Sequence, residues 1–177
     1  MPAPSPGIGA SLWGVAAGSA RSAWAVGWTD ASVQTPAEIV ILHWNGAVWK
    51  ALPSPAPIFD FLNDVAVTPA GGAWAVGAPT DYNPSSSKTV ILGWNGTAWK
   101  QAPVPASVAY NATLGGVAAT SARNAWAVGW TVTGQILILR WNGTAWKRVP
   151  SASGTNSGYL DSVAARARSG RSARHPH

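Results

Sequence analysis

The residue types that could do chemistry are few in this sequence and widely spaced. Histidine stands only at positions 43, 175 and 177, and the six acids are Asp30, Glu38, Asp60, Asp64, Asp81 and Asp161. There is no cysteine, which excludes disulfides, thiolate metal sites and cysteine nucleophiles. Glycoside hydrolysis needs two carboxyl groups flanking one bond, and these acids show no paired spacing that suggests it. No serine, histidine and acid set suggests a nucleophile with its base. His43 shares its position in a repeat with Gly93 and Arg140, so a blade edge is expected there rather than a metal ligand. The expectation is a chain with no catalytic residues, no metal and no cofactor.

Tryptophan is what the chain has in excess, twelve in 177 residues, with 19 glycines and 14 prolines. Only 10% of the residues are charged. Such a composition suits an all-β protein with many turns. The net charge of +6 is concentrated at the end, where Arg166, Arg168, Arg171 and Arg174 supply four of the twelve basic residues. A nucleic-acid surface needs a basic stripe on the fold itself, so none is expected. No segment approaches the roughly 20 apolar residues of a membrane span. Met1-Pro-Ala-Pro-Ser-Pro6 has neither the charged nor the apolar region of a signal peptide, so the chain as written reads as cytoplasmic.

The sequence repeats itself. Ala23-Trp-Ala-Val-Gly27 returns as Ala73-Trp-Ala-Val-Gly77 and Ala125-Trp-Ala-Val-Gly129. Each is followed by an apolar run ending in Trp-Asn-Gly-x-x-Trp-Lys, at Trp44–Lys50, Trp94–Lys100 and Trp141–Lys147. Each is preceded by Leu-x-x-Val-Ala, at Leu12, Leu62 and Leu114, and a fourth such element starts at Leu160. The leucines are 50, 52 and 46 residues apart, the period of a four-stranded propeller blade. Gly, Pro and Asn-Gly interrupt the chain too often for helices. The expected fold class is all-β: a partial β-propeller of three four-stranded antiparallel blades plus the first strand of a fourth.

The boundaries follow from the period: 1–11 a linker from a preceding blade, 12–61 blade one, 62–113 blade two and 114–159 blade three. Residues 160–165 would be the first strand of blade four, and 166–177 a basic disordered tail. Pro2–Pro6 resembles the Pro-rich ends of the units, which suggests a fragment of a longer propeller. Both end faces, about 400 Å² each for a blade of this size, would then be apolar and uncovered. Self-association through these end blades is expected.

Asn45-Gly46, Asn95-Gly96 and Asn142-Gly143 signal hairpins between the third and fourth strands. Read as two-residue type I′ loops, they place Leu42 opposite Trp49, Leu92 opposite Trp99 and Leu139 opposite Trp146. The turn requirement explains Asn95 and Asn142 without invoking glycosylation.

Candidate binding residues lie where the units differ. Between the motif glycine and the Trp of Trp-Asn-Gly stand 16 residues in units one and two but 11 in unit three. Loops of variable length on one face of a ring are often the binding face. Trp28, Asp30, Asp81, Tyr82 and Trp130 fall in or beside these loops and would suit a sugar or a protein ligand. Trp28 has a competing reading as core, because Trp24, Val26 and Trp28 alternate along one strand.

The Ala-Trp-Ala-Val-Gly…Trp-Asn-Gly-Thr-Ala-Trp unit, over residues 12–165, resembles the kelch-like, galactose-oxidase-type propeller repeats common in actinobacterial secreted or surface proteins. The resemblance implies a non-catalytic binding or interaction scaffold in an extracellular or cell-surface parent protein. A lectin-like propeller and the propeller portion of a larger enzyme are the alternatives. Galactose oxidase chemistry is ruled out by the lack of cysteine. The Asp-boxes of sialidases and the Gly-His and Trp-Asp pairs of WD40 repeats are also missing.

Overall fold

The computed structural model describes residues 9–30, 37–55, 60–79, 88–110, 112–151 and 158–166. The first unit forms β1 (Ala10–Ser19), β2 (Ser22–Thr29), β3 (Ile39–Trp44) and β4 (Trp49–Leu52). The second forms β5 (Asp60–Val67), β6 (Ala73–Pro79), β7 (Val90–Trp94) and β8 (Trp99–Gln101). The third forms β9 (Ala112–Ser121), β10 (Asn124–Thr131), β11 (Ile136–Trp141) and β12 (Trp146–Arg148). Each unit is one antiparallel sheet with its strands in chain order. A 3-10 turn at Ala106–Val108 is the one helical element among the described residues. Each first strand begins two residues before the expected leucine.

The hairpins stand at the three Asn-Gly pairs, but their loops hold four residues rather than two. Trp44 pairs with Trp49, Trp94 with Trp99 and Trp141 with Trp146. The reason lies in the asparagine side chain. Asn45 Oδ1 accepts from the N–H groups of Ala47 and Val48, at 3.0 and 2.9 Å. Asn95 and Asn142 do the same for Thr97 and Ala98, and for Thr144 and Ala145. The glycine takes the positive φ, between 95° and 100° in all three turns. The expected Leu–Trp pairs are therefore replaced by Trp–Trp pairs with centroids 5.8–5.9 Å apart. The slip is by two residues, so Trp49 remains on the face of Leu42 as expected.

Each first strand carries a bulge, at Trp13, Asn63 and Gly115. The motif glycine faces it. A Cβ on Gly27, Gly77 or Gly129 would overlap the carbonyl oxygen of Ser11, Phe61 or Thr113. Close backbone approach therefore dictates the last residue of Ala-Trp-Ala-Val-Gly.

Neighbouring sheets meet mainly through their first two strands, β1 and β2 on β5, then β5 and β6 on β9. They fan outward from there, as blades do. Between blades one and two, Trp24, Val26 and Ile41 pack on Leu62, Val65, Val90, Leu92 and Trp99. The next boundary repeats this with Val76 and Ile91 on Leu114, Val117, Leu137, Leu139 and Trp146. The motif tryptophans of blades one and two fit between the hairpin tryptophans of the following blade. Trp24 lies 4.9 Å from Trp94 and 5.0 Å from Trp99, and Trp74 lies 4.9 Å from Trp141 and 5.1 Å from Trp146.

Residues 158–166 belong to no strand, yet they lie where the first strand of a further blade would stand. A Cβ on Gly116 would come within 2.8 Å of Ser162 Cα, just as one on Gly14 would come within 2.7 Å of Asp64 Cα.

Candidate functional site

The end of the sheets where β1 starts and β2 finishes collects the exposed aromatic residues. Trp28 is half-buried at the end of β2. On one side it stacks on Trp13, with centroids 4.9 Å apart and ring planes 21° from parallel. On the other it meets Phe61 of blade two at 4.5 Å. Trp13 is the bulge residue of β1 and is 65% exposed. A bulge redirects its side chain out of the strand's alternation, which leaves this indole presented at the surface with Trp28 as its backing.

The arrangement recurs two boundaries away, after blade three. Trp130, at the end of β10, meets Tyr159 edge-on at 5.2 Å, and Tyr159 is 67% exposed. By repeat position Phe61 and Tyr159 correspond, each just before the leucine of the following unit. Ala78 of blade two and Thr113 of blade three stand in the same two places, so the boundary between blades two and three carries no aromatic pair.

Of the candidate residues, Trp28 and Trp130 are thus parts of contacts between adjacent blades. Both readings of Trp28 meet in the structure, since it is half core and half surface. Asp30 is exposed, and its backbone N–H donates to Gly9. Asp81 and Tyr82 lie outside the described residues. The sequence reading missed Trp13, Phe61 and Tyr159. Aligning the units shows that Phe61 and Tyr159 hold one repeat position and Trp28 and Trp130 another; that they meet, and the bulge at Trp13, were not readable.

His43 lies on the third strand rather than at the sheet's edge. Its ring stacks on Trp24 at 4.2 Å, with Nε2 3.1 Å from Ser22 Oγ. Burial lowers its pKa below the ordinary histidine value. In blade three Arg140 covers Trp126 from the same position, 5.2 Å from the ring. In blades one and three this position covers the motif tryptophan. Among the described residues no three His, Asp or Glu side chains form a group able to hold a metal, and no helix is long and apolar enough to cross a membrane.

Three four-stranded antiparallel sheets fanning from their first strands are blades of a β-propeller, and this is the fold class the chain belongs to. Among solved structures it is similar to YCF48 bound to D1 peptide, with a TM-score of 0.57 and 17% sequence identity. The match covers 84% of this chain and 42% of that one, so the chain spans less than half of that protein. At this identity the likeness carries the fold alone. No protein-family model matches the sequence, and no curated protein does.

Proposed function

We propose that the chain is a non-catalytic binding scaffold that engages a protein partner through the blade end bearing Trp13, Trp28, Phe61, Trp130 and Tyr159. Asp30 belongs to the same proposed face, and Asp81 and Tyr82 are proposed as further binding residues from their place in the sequence alone. The observation that carries this reading is Trp13, an indole 65% exposed and backed by a stacked Trp28. Large aromatic side chains held rigidly at a surface are typical anchors of binding interfaces. A solved propeller of similar fold is bound to a peptide, which supports the choice of a protein ligand. The resemblance to kelch-like repeats supports an extracellular or cell-surface setting.

The test is selection from a peptide library and, in parallel, binding to a glycan array. The expected result is a family of peptides whose affinity falls at least about tenfold, or 1.4 kcal/mol, on Trp13→Ala while the fold is retained. Glycans bound in a Trp13-dependent way, with no such peptides, would replace this reading with a lectin. Binding indifferent to Trp13 and Trp28 would overturn the proposed face.

A further inference from the structure

The opposite end of the sheets carries the turns joining first to second strands and those joining third to fourth. In blade one the first of these turns is Ser19-Ala20-Arg21-Ser22, and in blade three it is Ser121-Ala122-Arg123-Asn124. Both hold the same three contacts. The serine Oγ accepts from the arginine N–H at 3.2 Å. The alanine carbonyl accepts from the first hairpin tryptophan, Trp44 Nε1 to Ala20 at 3.2 Å and Trp141 Nε1 to Ala122 at 3.0 Å. The arginine stem lies over the hairpin glycine. A Cβ on Gly46 would come within 3.0 Å of Arg21 Cγ, and one on Gly143 within 3.2 Å of Arg123 Cγ.

Blade two breaks all three contacts at once. Its turn reads Pro69-Ala70-Gly71-Gly72, with glycine in the arginine's place. Nothing lies within 4 Å of a Cβ built on Gly96 or on Gly71. The Trp94 indole N–H has no hydrogen-bond partner among the described residues. Gly72 N–H and Gly71 N–H are instead bonded to Thr68, which closes the loop on itself. What remains is a cavity of about 290 Å³ bordered by Gly71, Gly72, Trp74, Trp94, Gly96 and, from blade three, Ala122.

We propose that this cavity binds an arginine-bearing peptide segment of a partner protein, in the manner in which blades one and three hold their own Ser-Ala-Arg. The arginine stem would lie over Gly96 and along the Trp94 ring, while the carbonyl before it accepts the free indole N–H. The guanidinium needs no buried partner, because Arg21 and Arg123 are themselves exposed at the equivalent places. An unbonded donor beside open space thus asks for a carbonyl, and the two neighbouring blades show which residue follows that carbonyl. The site stands at the other end of the sheets from Trp13, so it is independent of the interface proposed above.

The probe is the blocked tripeptide acetyl-Ser-Ala-Arg-amide, titrated into the full chain while the Trp94 indole N–H resonance is followed. Because Ser172-Ala173-Arg174 repeats the same tripeptide in this sequence, the titration is also run on the Arg174→Ala chain. A saturable downfield shift of that resonance is expected, with at least about tenfold weaker binding of acetyl-Ser-Ala-Ala-amide. Grafting the turn of blade one, by Pro69→Ser, Gly71→Arg and Gly72→Ser together, should fill the cavity and abolish the shift in a folded chain. Trp94→Phe should weaken binding measured by calorimetry. Equal binding of the two peptides in the Arg174→Ala chain, no saturable shift there, or undiminished binding to the grafted chain would overturn the proposal.

Discussion

The motif glycines face a bulged strand so closely that any side chain would need the space of a carbonyl oxygen. We expect Gly77→Ala to destabilise the chain by about 2–3 kcal/mol, the cost of overpacking a site that cannot relax. The effect is read as a lower urea midpoint at an unchanged slope. Asp64 is the other residue whose neighbours decide its behaviour. Its carboxylate accepts from Val65 N–H within its strand and from Val117 N–H across the blade boundary, each at 2.8 Å. Burial pushes its pKa above the ordinary carboxylate value, while the two N–H donors pull it down. With the folded value the higher one, Asp64 favours folding most below the ordinary carboxylate range. That contribution is lost as pH rises through the raised value. Between pH of about 3 and about 7, spanning the usual carboxyl titration, the stability of wild type relative to Asp64→Asn should therefore fall. An unchanged difference across that range would acquit Asp64.

At the scale of elements, the hairpins are set by a side chain and a glycine acting together. Asn142 Oδ1 holds two backbone N–H groups and the Thr144 hydroxyl, the last at 2.8 Å. Asn142→Ala should cost about 1 kcal/mol, since the freed N–H groups are near solvent and can turn to water. Thermal unfolding would show this as a small drop, and Asn142→Asp, which keeps an acceptor, should recover most of it. The register was misread from the sequence for the same reason. Asn-Gly signals a two-residue loop when the backbone alone closes it, and here the asparagine oxygen closes a four-residue loop instead. Because side chains alternate with a period of two, the error moved pairs along the strand without exchanging its faces.

For the whole molecule, the contact that matters is one blade's tryptophan between two of the next. Trp74→Ala should cost about 3–5 kcal/mol, typical of a large aromatic removed from a packed core. Trp126→Ala is the internal control. It holds the same place in blade three but is covered by Arg140 rather than by another hairpin pair, so its cost should be clearly smaller by denaturant titration. The face of blade one shows the opposite side of this rule. Leu62 and Leu114 are 0% exposed and Val65 and Val117 at most 4%, whereas Leu12 is 50% and Val15 71% exposed. An apolar strand of this kind should draw copies of the chain together. Sedimentation at micromolar concentration should report association that Leu12→Glu, a change at the surface of β1, reduces. A wild-type chain that stays monomeric there would refute the idea.

Sequence alone determined the blade, because a repeat is a statement about period and alternation, and both are local properties of the chain. The three Leu-x-x-Val-Ala elements, the Ala-Trp-Ala-Val-Gly strands and the Asn-Gly hairpins all appear where their residues placed them. Tertiary structure alone decided which side chains meet. It took the bulge at Trp13 to present an indole at the surface, and the fan of the sheets to bring Trp28 to Phe61 and Trp130 to Tyr159. The cavity over Gly96 likewise forms only where the fold brings the turn at Gly71, the hairpin at Gly96 and Ala122 of blade three side by side. Distances between blades depend on how sheets pack, and no spacing along the chain encodes them.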